Sequence, residues 1–490
     1  MMGRQESDQR QLFYLFNLED RIPTDHLLRR INPIFAGVLA DLRKRLANFY
    51  SDIGRPSIDP ELMMRMLIVG YCYGIRSERR LCEEVKLHLA YRWFCKLDLD
   101  DNVPHHSTFS VNRLGRFRES DILRHVFERV VAACMTAGLV KGEGFAVDAT
   151  VIEANASRYY GKAPNELDWT DAQRQRRAVA EYLAVLDAEA QTVAAQAGDD
   201  NSPDGGSDGG WRVNPDRKPP KVISGSDPQS AWTAKANKRV LFGYGLNYLI
   251  DIKHAVIVDV EATPARAHDE VTATKTMLER TERRFDMKPK RLIGDTAYGV
   301  DRFLGWLVKE KKITPHIPVW DKGEREDGTF SRADFIFDKR RDIYICPAGK
   351  TLTTTGHVST DHGVRYMASL LDCRACVLKP KCCPKMPSRR IVRYVNEDAR
   401  DLARRKMKTK AYLKSRNQRK KVEMRFAHLK THHGFERLQL RGLSGARDEF
   451  HLAAIVQNLK TMVLRLLGPP PNGECAQQLR EYAVNHRTVA

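Results

Sequence analysis

At 490 residues the chain is long enough to bury two or three separate cores. Its apolar fraction of 42% is ordinary for a globular protein. It contains no apolar run of the roughly 18 residues that would suggest a membrane span, and its opening, MMGRQESDQRQLFYLFNLEDRIP, is too polar for a signal-peptide core, so a cytoplasmic protein is expected. With 82 Lys and Arg against 62 Asp and Glu, the net charge is +20 and the pI about 9.5, which favours nucleic acid as the partner without specifying a reaction.

Residues up to about 137 read as helices. Asp59 is a natural N-cap, Pro60 a first-turn residue, and Gly74 a terminator for the apolar run LMMRMLIVGYCYG between them. Ser77 caps a second helix expected over Glu78 to Leu97, with Leu81, Val85, Leu89 and Trp93 repeating every four positions. Ser107 and Thr108 open a third, and Asp121 to Ala137 is a fourth. Short helices with tight turns and exposed arginines suit either a helix-turn-helix DNA-binding module or a plain bundle used for packing or dimerisation.

Gly144-Phe-Ala-Val-Asp148-Ala-Thr150 reads as a short strand running into an aspartate. Such a carboxylate at a sheet edge is where α/β folds keep their chemistry, although a plain turn aspartate has the same pattern. A charged helix is expected over Asn165 to Ala197, then a flexible Gly-, Asp-, Pro- and Ser-rich insertion over 198–230. VLFGYGLNYLIDI and HAVIVDVEAT form an antiparallel pair turning at Asp251 to Lys253. His268-Asp-Glu opens a helix to about Arg284, and Arg291-Leu-Ile-Gly-Asp295-Thr-Ala-Tyr298-Gly299 again delivers an aspartate from a strand. A helix over Asp301 to Glu310 and a fifth strand over Ile313 to Val319 follow.

The segment 320–396 holds five of the ten cysteines, Cys346 followed by Pro, then Cys373-x2-Cys376-x5-Cys382-Cys383. Disulfides are disfavoured in the cytoplasm, and this clustering points to a four-cysteine Zn²⁺ site built from Cys346, Cys373, Cys376 and Cys382, with Cys383 as the other candidate for the fourth ligand. An iron–sulfur cluster is the alternative. Cys72, Cys82, Cys95 and Cys134 are scattered and read as small core residues, and Cys475 stands alone.

From Asp401 to Arg441 there are 14 Lys and Arg against 3 acidic residues. Within RKKVEMRFAHLK, Arg419, Glu423, Phe426 and Lys430 fall within ~60° of one another on a helix, so one carboxylate lies between two cations. A solvated helix with an i,i+4 ion pair would show the same spacing. The surplus of positive charge instead suggests a metal ligand beside a polyanion. A helix from Ser444 to Leu467 follows, stopped by Gly468-Pro-Pro-Pro.

The order of three strands, helix, strand, helix, strand and late basic helix, with aspartates after the first and fourth strands and a glutamate on that helix, resembles the RNase H-like fold of the DDE transposases. The HSTF segment, VDATVIEANAS, the DTAYG turn and R-x3-E-x6-K at Arg419, Glu423 and Lys430 resemble insertion-sequence transposases of the IS-four and IS-five type. Arg416 departs from the pattern, which often has Tyr there.

The resemblance implies an α/β protein with an RNase H-like mixed-sheet catalytic domain over 138–467, interrupted by the flexible and Cys-rich insertions. A helical DNA-binding or dimerisation domain over 1–137 precedes it, and a loose tail over 468–490 follows. Asp148, Asp295 and Glu423 would hold Mg²⁺ or Mn²⁺, and Arg416, Arg419, Lys420, Lys421, Arg425 and Lys430 would meet DNA phosphates. Tyr298 and His268 also match family positions, with a packed core tyrosine and a helix-capping histidine as their plainer readings. The implied partners are double-stranded DNA, as inverted-repeat ends and as target, and a second copy on paired ends. A nuclease or resolvase of the same fold, and a silent DNA-binding derivative, are the rival readings.

Overall fold

The computed structural model describes residues 16–50, 53, 57–169, 176–197, 220–234, 239–320, 327–359 and 362–468. They divide into two units, one of Met1–Leu139, Val151–Tyr244 and Arg425–Ala490, the other of Val140–Thr150 and Gly245–Met424. The fold is mixed α/β.

The first unit is mainly helical. Its helix Pro60–Tyr73 starts where Asp59 Oδ1 accepts the N–H groups of Glu61 (2.7 Å) and Leu62 (3.3 Å), and it stops at Gly74, whose φ of 70° few other residues adopt. Nearly every side chain between is buried, as its all-round apolar sequence requires. The long helix Gly442–Leu467 packs against this helix and against Leu27–Val38 and Ile122–Thr136. Its Glu449 is fully buried: one oxygen accepts the N–H groups of Gln439 (2.7 Å) and Leu440 (2.6 Å), the other the Tyr71 hydroxyl (3.1 Å) and the Arg76 guanidinium. Cys72, Cys82, Cys95 and Cys134 are buried here too.

Three expectations change in this unit. The helix foreseen over Glu78 to Leu97 is two, Glu78–Leu87 and Leu89–Phe94, because His88 is extended (φ −96°, ψ 113°) and stacks on Tyr91 at 4.0 Å. The break turns Leu89 outward and lets Ala90, Tyr91 and Phe94 fill the core instead. The helix foreseen from Asn165 starts only at Arg177, after a tight turn at Pro164–Glu166. Of the expected flexible insertion, 198–219 lies outside the described residues, but 220–230 is built into the unit. It holds the strand Ile223–Ser224 and the buried Asp227, whose carboxylate accepts from Tyr244 and from the Gly442 N–H (3.2 Å). The tail beyond Gly468, with Cys475, also lies outside the described residues.

The second unit contains five strands of a six-stranded sheet, whose remaining strand, Ala231–Thr233, pairs with Leu241–Gly243 in the first unit. Its strands are β1 (Phe145–Glu153), β2 (Leu241–Asp251), β3 (Ile257–Pro264), β4 (Arg291–Ile293) and β5 (Thr314–His316), of which β1 and β2 each extend past the division. Among these five the order is β3-β2-β1-β4-β5. β4 runs parallel to both β1 and β5, while the short link between β2 and β3 makes a hairpin. The helix Ala267–Phe285 lies on β3, where Arg280 pairs with the buried Asp259 and with Glu261, each at 2.8 Å. Glu397–Met407 packs beside β5, and Lys410–His433 begins in this unit.

After β5 the chain builds a second sheet of five antiparallel strands in sequence order: Ile336–Asp338, Ile343–Ile345, Thr351–Val358, Gly363–Ala368 and Arg390–Tyr394. Its small core is Phe335, Tyr344, Leu352, Tyr366, Ala368, Ile391, Cys382 and Cys383.

Candidate active site

The parallel register of β1 and β4 brings two carboxylates together. Ala146 is paired with Ile293, and Asp148 and Asp295 each follow two residues later, so they leave the sheet at equivalent points of neighbouring strands ~5 Å apart. Asp148 does not end its strand, as the sequence suggested. The extended backbone runs on to Glu153 because Val151 and Ile152 continue the β-branched pattern, but pairing with β4 stops before it. Asp295 caps the tight turn Thr296–Tyr298, its Oδ1 accepting the Ala297 N–H at 2.9 Å. Gly299 closes that turn against the next strand: a Cβ there would lie 2.0 Å from the Pro318 carbonyl oxygen.

The third carboxylate comes from the helix Lys410–His433. Arg419 spans the gap, its Nη1 donating to Asp148 Oδ2 at 3.1 Å and its Nη2 to Glu423 Oε1 at 2.7 Å. Asp148 is mostly buried, whereas half of the Glu423 side chain is exposed. Burial pushes the Asp148 carboxyl up to about 6; Arg419 and the Ala149 amide oppose this, and the charges of Asp295 and Glu423 add to it. Arg419 therefore bridges Asp148 and Glu423, and the charge of Asp295 also acts on Asp148. Among the described residues, no three His, Cys, Asp or Glu side chains stand close enough to grip an ion without moving.

One supporting contact carries no clear sequence signal. His316 on β5 lies in register with Ile293, and its Nδ1 is 2.7 Å from Ser415 Oγ, both groups buried. Burial, with Arg291 and Lys406 nearby, holds this imidazole down to about 4, so it is neutral at ordinary pH and pins the helix one turn before Arg419. Glu270 was also missed. Burial, then the charges of Glu270, Asp148 and Asp295, hold the fully buried Tyr298 phenol well above its usual range. The acidic His268-Asp-Glu opening of the helix Ala267–Phe285 was the available signal. His268 does not cap that helix: Arg266 occupies the cap position and the His268 side chain is mostly exposed.

The basic residues divide by environment. Arg416 and Lys420 are exposed. Lys421 Nζ donates to the carbonyls of Ile252 (2.6 Å) and Lys253 (3.0 Å), which fastens the helix to the β2–β3 turn. Arg425 and Lys430 belong to the first unit, where Arg425 donates to Thr461 Oγ1 (2.6 Å) and Lys430 to the Val151 carbonyl (3.1 Å).

In the second sheet, Cys346, Cys373, Cys376, Cys382 and Cys383 line one cavity. All are free thiols.

The transposase domain family (DUF772) matches residues 16–114, and the transposase DDE domain family matches residues 345–463. The second match includes the five clustered cysteines, Arg419 and Glu423 but neither Asp148 nor Asp295, so those two rest on the geometry above. No curated protein matches the chain. Among the described residues no helix is long and apolar enough to cross a membrane. With these two domains in one chain, the protein belongs to the DDE insertion-sequence transposases.

Proposed function

We propose that this transposase cuts DNA at the inverted-repeat ends of its own element and joins the freed 3′ ends to target DNA, using Asp148, Asp295 and Glu423 as ligands for Mg²⁺ or Mn²⁺. The observation that carries the proposal is the bridge that Arg419 makes between Asp148 and Glu423, with Asp295 following the neighbouring strand in register with Asp148. An all-oxygen donor set of two aspartates and a glutamate fits a hard divalent cation that keeps part of its water shell. Two such ions, when bound, supply an activated oxygen nucleophile and stabilise the leaving oxygen of a phosphodiester.

The chain's own groups do the rest. Asp148 and Asp295 are fixed by their strands, and Glu423 is held by a helix that His316 and Lys421 lock to the sheet. Arg419 exchanges its carboxylate contacts for a bidentate contact with a phosphate, and the exposed Arg416 and Lys420 extend that contact along the backbone. The strand order β3-β2-β1-β4-β5 supports an RNase H-like catalytic domain, of the IS-four or IS-five type by its motifs. On this reading the helical residues 1–137 bind DNA or a second subunit, and the protein works in the cytoplasm as a homodimer on paired ends.

The test is cleavage of a duplex carrying the element's end, with Mg²⁺ or Mn²⁺, by wild type and by Glu423→Gln. Nicking at the end by wild type, with equal binding and no cutting by the variant, supports the proposal. Equal cutting by both refutes the role of Glu423. Cutting of any duplex without regard to ends indicates a nuclease, and binding without cleavage under either ion indicates a silent derivative.

A further inference from the structure

The second sheet of the catalytic unit has too little interior to account for its own order. Only Leu352 is buried along the whole strand Thr351–Val358, and no residue of Ile336–Asp338 is. A segment of 60 residues, Phe335 to Tyr394, with eight core side chains would ordinarily need a cross-link or a metal. Two of those eight are Cys382 and Cys383, and the other three cysteines of the segment face the same cavity.

Each cysteine leaves the backbone at a turn. Cys346 follows the strand Ile343–Ile345 in a loop closed by the Gly349 N–H on the Cys346 carbonyl (2.8 Å), with Gly349 at φ 76°. In the same loop the Lys350 N–H donates to Cys346 Sγ at 3.3 Å. Cys373 and Cys376 bracket the end of the short helix Leu370–Arg374, and Cys382 and Cys383 the end of Lys379–Cys382. Cys383 lies beside both Cys382 and Cys373. Lys350, Asp372, Lys379 and Arg389 line the cavity with them, Lys350 being paired with Asp372 at 3.5 Å. Arg389 is itself buried and donates to the Cys382 and Phe330 carbonyls at 2.9 and 2.8 Å.

We propose that this cavity is a structural Zn²⁺ site that closes the second sheet, with Cys346, Cys373, Cys376 and one of the adjacent pair Cys382 and Cys383 as ligands. Zinc takes four thiolates in a tetrahedron and needs no redox partner. The fifth cysteine of the group stays a thiol. The sulfurs surround the cavity without meeting at one point, so binding draws them inward by side-chain rotation and releases protons to solvent. This site is separate from the carboxylates and does not depend on the cleavage proposal.

The test uses the full chain purified under reducing conditions and loaded with Zn²⁺ or with Co²⁺ as a spectroscopic probe. The expected result is one ion per chain, thiolate-to-cobalt charge-transfer bands, and at least a tenfold loss of affinity in Cys373→Ser and in Cys376→Ser. Because either variant can misfold locally, wild type is also alkylated with and without Zn²⁺. The metal should protect four of the five clustered thiols and leave one reactive. The proposal is overturned by any of four results: no metal retained against a chromophoric chelator, unchanged binding in both serine variants, an iron–sulfur chromophore, or disulfides among these five residues.

Discussion

Replacing Asp148 by Asn should make the metal-free protein more stable at alkaline pH while removing cleavage. Burial and two neighbouring carboxylates move Asp148 from 3.8 to about 6, which corresponds to roughly 3 kcal/mol of native-state cost once the group is ionised in both states. Asn keeps the side chain's size and its acceptor for Arg419 but weakens that bond by about 1–2 kcal/mol, because the charge assistance is lost. The net gain is about 1–2 kcal/mol. The sign follows from a raised native value: the wild-type contribution is favourable below about pH 4 and is lost as pH rises through about 6. Urea unfolding in EDTA at pH 8 and at pH 4 should therefore show the variant ahead at pH 8, with the difference gone or reversed at pH 4. Adding Mg²⁺ at pH 8 should stabilise wild type and leave the variant unmoved, since an ion that binds only the native state raises its stability. A variant less stable than wild type at pH 8, or a difference independent of pH, would refute this account of Asp148.

Two further substitutions test the packing around this chemistry and the helical core. Gly299→Ala places a Cβ 2.0 Å from the Pro318 carbonyl oxygen, a backbone clash that no rotamer relieves; we expect a loss of about 3 kcal/mol or more, read by chemical denaturation, together with loss of cleavage. Little change in either would mean the turn after Asp295 is looser than described. Glu449→Ala leaves the Arg76 guanidinium and the Gln439 and Leu440 amides without their acceptor. The cost should be about 3–5 kcal/mol of stability in the helical unit, and a loss under 1 kcal/mol by calorimetry would refute the importance of that buried carboxylate.

Local rules made part of this structure readable in advance. The Asp59 cap, Pro60 and Gly74 mark their helix because each satisfies or ends hydrogen bonding within a few residues. The turn at Asp295 and the Arg419–Glu423 pair are equally local, since both depend on neighbours no more than four residues away. What was not legible depends on contacts distant in sequence. The strand through Asp148 continues because Val151 and Ile152 suit extended backbone, so its carboxylate sits mid-strand. Lys421 looks like any other cation of a basic helix, and only the position of the β2–β3 turn shows that it anchors protein carbonyls. His316 to Ser415 joins residues about a hundred positions apart, and no periodicity announces such a pair. The break at His88 likewise follows from the competition between Leu89 and its neighbours for a core formed elsewhere.

The two bonds made by Arg419 have a thermodynamic consequence. On the proposed reading, the guanidinium and the divalent ions compete for the same oxygens of Asp148 and Glu423. Loading the ions therefore sets a cation free, and a phosphate that captures it prevents its return. By linkage, DNA must raise the affinity for the ions by the same factor as the ions raise the affinity for DNA. Such an enzyme holds its metal weakly while idle and firmly when a phosphodiester is in place, so that the reactive constellation assembles only on its substrate.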